Sequence, residues 1–105
     1  MKKELQDKLF SFYPKIFRQK DLSMKETAMC WGIDTGSGWY DLINDLCKEI
    51  QYHIDTGKMS QIEATQVKEK FGTLRFYIDS GDDFIHTLIS EAERMSEKIC
   101  ENCGS

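Results

Sequence analysis

Thiols, imidazoles and carboxylates are where chemistry would concentrate, and the tightest grouping of them is Cys100-Glu101-Asn102-Cys103-Gly104. The C-x-x-C spacing lets two sulfurs reach one metal ion, and the glycine behind them eases the sharp turn. Structural zinc takes four ligands, so Cys100 and Cys103 supply half a site. Cys30, Cys47, His53 and His86 complete it only if the fold carries them to the C-terminal end. Otherwise the pair is two free thiols on a frayed tail. Cys47, beside an apolar helical stripe, reads as a small buried hydrophobe. A thioredoxin-type role is disfavoured, because there the motif opens a helix after a strand, and here it follows a helix. The expected cofactor is therefore none, with zinc at Cys100 and Cys103 as the alternative.

Other groupings point away from catalysis. Gly36-Ser37-Gly38 before a helix could present N–H groups to a phosphate, but it matches neither the P-loop nor the dinucleotide fingerprint. A turn and helix cap is the plainer reading. Asp34, Asp82 and Asp83 fall at turns and helix starts, where carboxylates cap helices. His53 and His86 stand singly on helices, and no nucleophile–base pattern emerges. The chain is expected not to be an enzyme. More informative are Lys68, Lys70, Arg75 and Tyr77, with Trp31 and Trp39. Cations beside aromatic rings grip phosphates and bases, or anchor a protein interface. The opposing reading buries both tryptophans and lays the cations over the core.

The element that must position these cations is a β-hairpin over about 62–79. Leu74, Phe76 and Ile78 alternate with Thr73, Arg75 and Tyr77, so the two sets take opposite faces. Gly72 sits at the reversal. So short a ribbon needs helices over its apolar face. Three are predicted. The first covers Lys3 to Phe12 and is interrupted by Pro14, with Phe10, Phe12, Tyr13 and Phe17 as packing aromatics. The second carries Trp39, Leu42, Ile43, Leu46, Ile50 and Ile54 on one stripe, with Ser37 as its cap and Gly57 at its end. In the third, Ser80 is the cap, and Phe84, Ile85, Leu88, Ile89, Ala92 and Met95 form the apolar face. Met29 to Ile33 is a candidate strand beside the hairpin. The expected fold is α+β: a small antiparallel sheet with three helices packed on it.

One domain accommodates all 105 residues, 40% of them hydrophobic and 30% charged. No apolar run is long enough to span a bilayer, and Met-Lys-Lys-Glu-Leu-Gln-Asp lacks the apolar core of a signal peptide. A cytoplasmic address and unpaired cysteines follow as expectations. The net charge of −4 is unevenly laid out. Residues 1–25 carry seven Lys/Arg against three Asp/Glu, and residues 67–78 carry three against one, while the other two stretches are acidic. An acidic protein with a basic hairpin can still meet a phosphate locally.

Cys30-Trp31-Gly32-Ile33, Gly38-Trp39-Tyr40-Asp41-Leu42-Ile43, Gln66 to Tyr77 and Cys100 to Gly104 resemble a family of small phage and prophage proteins. Members often continue past the Cys-x-x-Cys-Gly into a second ligand pair, a treble-clef or ribbon-type zinc site, and the 105 residues end before it. The resemblance implies a phage setting, inside the host cell, rather than a chemistry. The expected function is a non-enzymatic, anti-CRISPR-type inhibitor that occludes a host defence protein or complex. Two other readings stay open. One is a nucleotide-signal sponge working through the Lys70, Arg75 and aromatic surface. The other is a zinc-associated nucleic-acid accessory protein.

Overall fold

The computed structural model describes residues 1–105. Helix α1 (Lys3–Phe12) takes the predicted span, but only Leu9 on it is fully buried and Phe12 is exposed. Beyond Pro14 the chain sends Ile16 and Phe17 inward, and Phe17 packs on Phe10 and Phe76 at ring distances of 5.2 and 6.4 Å. A short 3₁₀ turn at Arg18–Asp21 follows. Arg18 ion-pairs with Glu63, and the Ala64 N–H donates to the Ile16 carbonyl (2.8 Å), tying this corner to the hairpin base.

The expected strand at Met29 to Ile33 is mostly something else. Met29–Trp31 is a 3₁₀ turn, and only Ile33–Asp34 pairs, as β1. Gly32 makes the break with φ +76°, a region that side chains disfavour. The Gln6 Oε1 from α1 reaches into the space a Cβ at Gly32 would take and accepts the Ile33 N–H at 2.8 Å.

Helix α2 (Tyr40–Gly57) buries Leu42, Ile43, Leu46, Cys47, Ile50 and Ile54, the stripe that its 3.6-residue period predicts. Its ends differ from expectation. A 3₁₀ turn at Ser37–Trp39 leads in without a side-chain cap, and the Ser37 hydroxyl instead accepts the Lys2 N–H (2.9 Å). Gly57 stays helical, and Lys58 takes the left-handed residue (φ 54°).

Strands β2 (Ala64–Lys70) and β3 (Thr73–Ile78) form the hairpin, with one extra residue in β2 between Ala64 and Gln66. β2 is central: β3 pairs antiparallel on one side and β1 parallel on the other, so the sheet is mixed rather than antiparallel. Helix α3 (Asp83–Ser96) is capped by Asp82, not Ser80, through the Ile85 N–H at 2.9 Å. It buries Ile85, Ile89 and Ala92, but Phe84 and Met95 of its expected apolar face lie exposed. The fold is α+β. One sheet face contributes Ile33, Val67, Leu74 and Phe76 to the core, and no helix is long and apolar enough to cross a membrane.

Candidate functional site

The hairpin turn places the cations. Phe71 (φ 55°) and Gly72 (φ 81°) are both left-handed, which makes this a two-residue primed turn, whose twist matches that of the strands. Gly72 serves that turn as expected, whereas a phenylalanine in this conformation is strained. Glu69 helps hold the loop by accepting the Gly72 N–H (2.7 Å), and the Thr73 hydroxyl donates to the Lys70 carbonyl (2.9 Å).

The turn fixes the register, pairing Gln66 with Tyr77, Lys68 with Arg75 and Lys70 with Thr73. The neighbouring pairs hold buried Val67, Leu74 and Phe76 on the core side, so by the strand period these six residues share the outer face. Lys68 therefore faces Arg75 directly across the ribbon, and like charges so placed destabilise a sheet. None of the four ion pairs in the molecule involves Lys68, Lys70 or Arg75. Asp34 is the β1 neighbour of Lys68 in register, but it makes no ion pair with it. Tyr77 is 44% exposed, and at the tip Phe71 is 88% exposed with the Lys70 Nζ 5.6 Å from its ring centre.

The two tryptophans part company. Trp31 is 70% exposed on the turn that leads into β1, at the sheet edge next to the cationic strand. Trp39 is wholly buried, and its indole N–H donates to the Ile99 carbonyl (2.9 Å). Trp39 thus does not belong to the surface expected of it. The helical stripe of α2 begins at this residue, and the hydrophobic gain of burying an indole turns it inward.

Nor is the C-terminal end frayed. Residues 100–105 form a turn in which the Gly104 N–H donates to the Cys100 carbonyl (2.8 Å) and the Cys103 N–H approaches the Cys100 Sγ (3.5 Å). Glu101 docks the turn on the glycine loop. Its carboxylate accepts the Gly36 N–H (2.8 Å), and its carbonyl accepts the Gly38 N–H (2.6 Å). A Cβ at Gly38 would collide with the Cys100 carbonyl, so close backbone approach requires glycine there. Two of the N–H groups that could have bound a phosphate are taken by Glu101, one by its carboxylate and one by its carbonyl.

Cys100 and Cys103 are exposed, and hydrogen bonds from Ser105 first, then Cys100, lower the Cys103 thiol to about 7. Cys47 is buried, which pushes its thiol upward, and Cys30 donates to the Thr27 carbonyl (3.4 Å). No three His, Cys, Asp or Glu side chains converge in a group that could hold a metal ion.

One feature lies outside the hairpin. His53 Nε2 is 2.9 Å from Asp82 Oδ2, and its ring stacks on Phe84 at 4.3 Å. His53, Phe84 and exposed Tyr52 border a cavity of about 660 Å³ on the helical side of the molecule. The sequence signal was faint: Tyr52 falls off the buried stripe of α2, and Phe84 opens α3. No family model, curated protein or solved structure matches the chain.

Proposed function

We propose that this chain is a non-enzymatic, phage-encoded binding protein that inhibits a bacterial anti-phage defence by covering an anionic surface of a host protein or complex. Its working surface is the outer face of the hairpin: Lys68, Lys70, Arg75 and Tyr77, with Trp31 at the sheet edge. The observation that carries the reading is the Lys68–Arg75 pair, two cations set opposite each other with no carboxylate partner. Stability alone favours opposite charges at such a position, and a phosphate or a carboxylate-rich partner supplies the missing anion. The anti-defence setting, inside the host cytoplasm, comes from the family resemblance and the absence of a nucleophile–base pattern.

The test is a phage-infection assay in defence-bearing cells, run beside melting curves for Lys68→Ala, Lys70→Ala and Arg75→Ala. Each variant should keep its stability within about 0.5 kcal/mol, and removing one of the facing charges should even raise it slightly. Inhibition of the defence should fall, by the equivalent of ~2 kcal/mol of lost binding per variant and more at low salt. Full inhibition by all three stable variants would remove this face from consideration.

A second reading uses the same face differently. The exposed rings of Tyr77 and Trp31 beside the cations favour a nucleotide-signal sponge, in which bases stack and phosphates pair. Native mass spectrometry of protein purified from defence-activated cells separates the two. A retained nucleotide supports the sponge, and a retained host protein supports occlusion.

A further inference from the structure

The acidity of the chain is concentrated on its helical layer. Helix α2 carries Asp41, Asp45, Glu49 and Asp55 against Lys48, and α3 carries Asp83, Glu91 and Glu93 against Arg94. Two depressions run along the outward side of these helices. One, of about 660 Å³, is bordered by Tyr52, His53 and Phe84, and the other, of about 230 Å³, has Leu46, Leu88 and Met95 in its lining. Both include Asp45 and Glu49, with Lys48 in the first and Glu91 in the second, so they adjoin as one trough with apolar walls and a waist where three carboxylates outnumber one ammonium. Tyr52, Phe84 and Met95, three of the large apolar side chains left exposed, all line it. From Leu42 to Thr56 it follows α2 for roughly 21 Å at 1.5 Å per residue, the length of a four-turn helix. One end is fixed in advance. His53 is held between Phe84 and Asp82, and the other oxygen of Asp82 caps α3. Ordering that corner costs a partner little.

We propose that the α2–α3 trough receives a basic amphipathic helix from a partner protein, its apolar face on Tyr52, Phe84, Leu88 and Met95 and its Lys or Arg side chains against Asp45 and Glu49. Two helices side by side make the groove into which an amphipathic helix lays its apolar stripe. Charge complementarity selects the occupant, because an anionic membrane or nucleic acid is repelled by this rim. A second copy is a poor occupant. The hairpin cations do not lie on a helix, and α1, the chain's one other α-helix, interleaves Glu4 and Asp7 with its lysines and pairs Lys3 with Asp7. The proposal is independent of the sheet-face reading above.

The test is an amide-resonance titration of the full chain with a 14-residue peptide, leucine on one helical face and lysine on the other. Shifts should be confined to α2 and α3. The double change Asp45→Lys with Glu49→Lys, both at exposed positions, should weaken binding about tenfold or more. Tyr52→Ala should weaken it without moving the melting temperature, while Lys68→Ala should leave it unchanged. A peptide with glutamate in place of lysine should not bind. No shift at millimolar peptide, equal binding of the glutamate peptide, or shifts on the sheet would overturn the proposal. So would self-association through α2 and α3 in sedimentation, or binding of the chain to anionic lipid vesicles through this trough.

Discussion

Phe71 is the residue whose conformation and type disagree most. A two-residue primed turn favours Asn-Gly, because asparagine accepts the left-handed region that a phenylalanine resists. With its ring 88% exposed, Phe71 gains almost no burial to offset that strain. Phe71→Asn should therefore stabilise the protein by on the order of 0.5–1 kcal/mol in urea unfolding, with Lys68–Arg75 pairing unchanged. An unchanged or lower midpoint would mean that the Lys70–Phe71 contact contributes more than the strain costs. Loss of inhibition in the more stable variant would add Phe71 to the working surface. Glu63 is a second informative residue. The Arg18 guanidinium bonded to it holds its carboxyl below the ordinary 4.5, and the Gln19 amide adds to this. A depressed folded pKa means that the stabilisation is present above about 4.5 and lost as pH falls through the lower folded value. Arg18→Ala should flatten the acid limb of the stability–pH curve by lowering its neutral-pH plateau, a modest loss because the ion pair is exposed, and should change nothing at pH values below the folded pKa of Glu63. An acid limb identical to that of the parent would show that this pair is not coupled to folding.

At the scale of elements, the unusual device is the covered edge of β3. In the observed register the outward N–H groups are those of Leu74 and Phe76, and α3 supplies acceptors to both. Ser96 Oγ takes the first and Glu93 Oε2 the second, each at 2.9 Å. A bare edge is a template for pairing with another chain, and here side chains of a helix occupy it. Ser96 is only 1% exposed, so Ser96→Ala leaves a buried N–H without a partner and should cost ~1–3 kcal/mol in thermal or urea unfolding. An effect near zero would mean that water reaches the Leu74 N–H. The opposite sheet edge is managed by Gln6, which serves Ile33 in the same way. Between the edges, α2 and the hairpin meet through the core. Leu46 and Phe76 are 5% and 3% exposed, and either one changed to Ala should cost ~2–5 kcal/mol. Melting curves unchanged by both would contradict the packing described here.

Seen whole, the molecule has two charged sides. Helices α2 and α3 carry seven carboxylates against two cations, and the outer sheet face presents cations without partners. That separation accounts for a net charge of −4 coexisting with a basic hairpin. On the two readings proposed above the surfaces take different partners, since each repels what the other attracts. The C-terminal turn joins two distant stretches of the chain. By docking on Gly36 and Gly38 and accepting the Trp39 N–H through Ile99, it binds the start of α2 to the end of the chain.

The sequence by itself determined whatever follows from short-range period and backbone permission. The span of α1, the α2 stripe from Leu42 to Ile54, the hairpin with its turn at Gly72 and the shared face of Arg75 and Tyr77 were all legible. Each depends on residues within a few positions of one another. Tertiary structure decided the rest. Trp39 and Trp31 look alike in sequence, and only packing buried one and left the other exposed. Ser37 and Ser80 are equally good local caps, yet Lys2 claims the first and Asp82 displaces the second. The parallel pairing of β1, the docking of Glu101 on a glycine loop more than sixty residues earlier, and the meeting of His53 with Asp82 and Phe84 join distant parts of the chain. Contacts of that kind leave no periodic trace, because the chain path brings the partners together and their spacing does not.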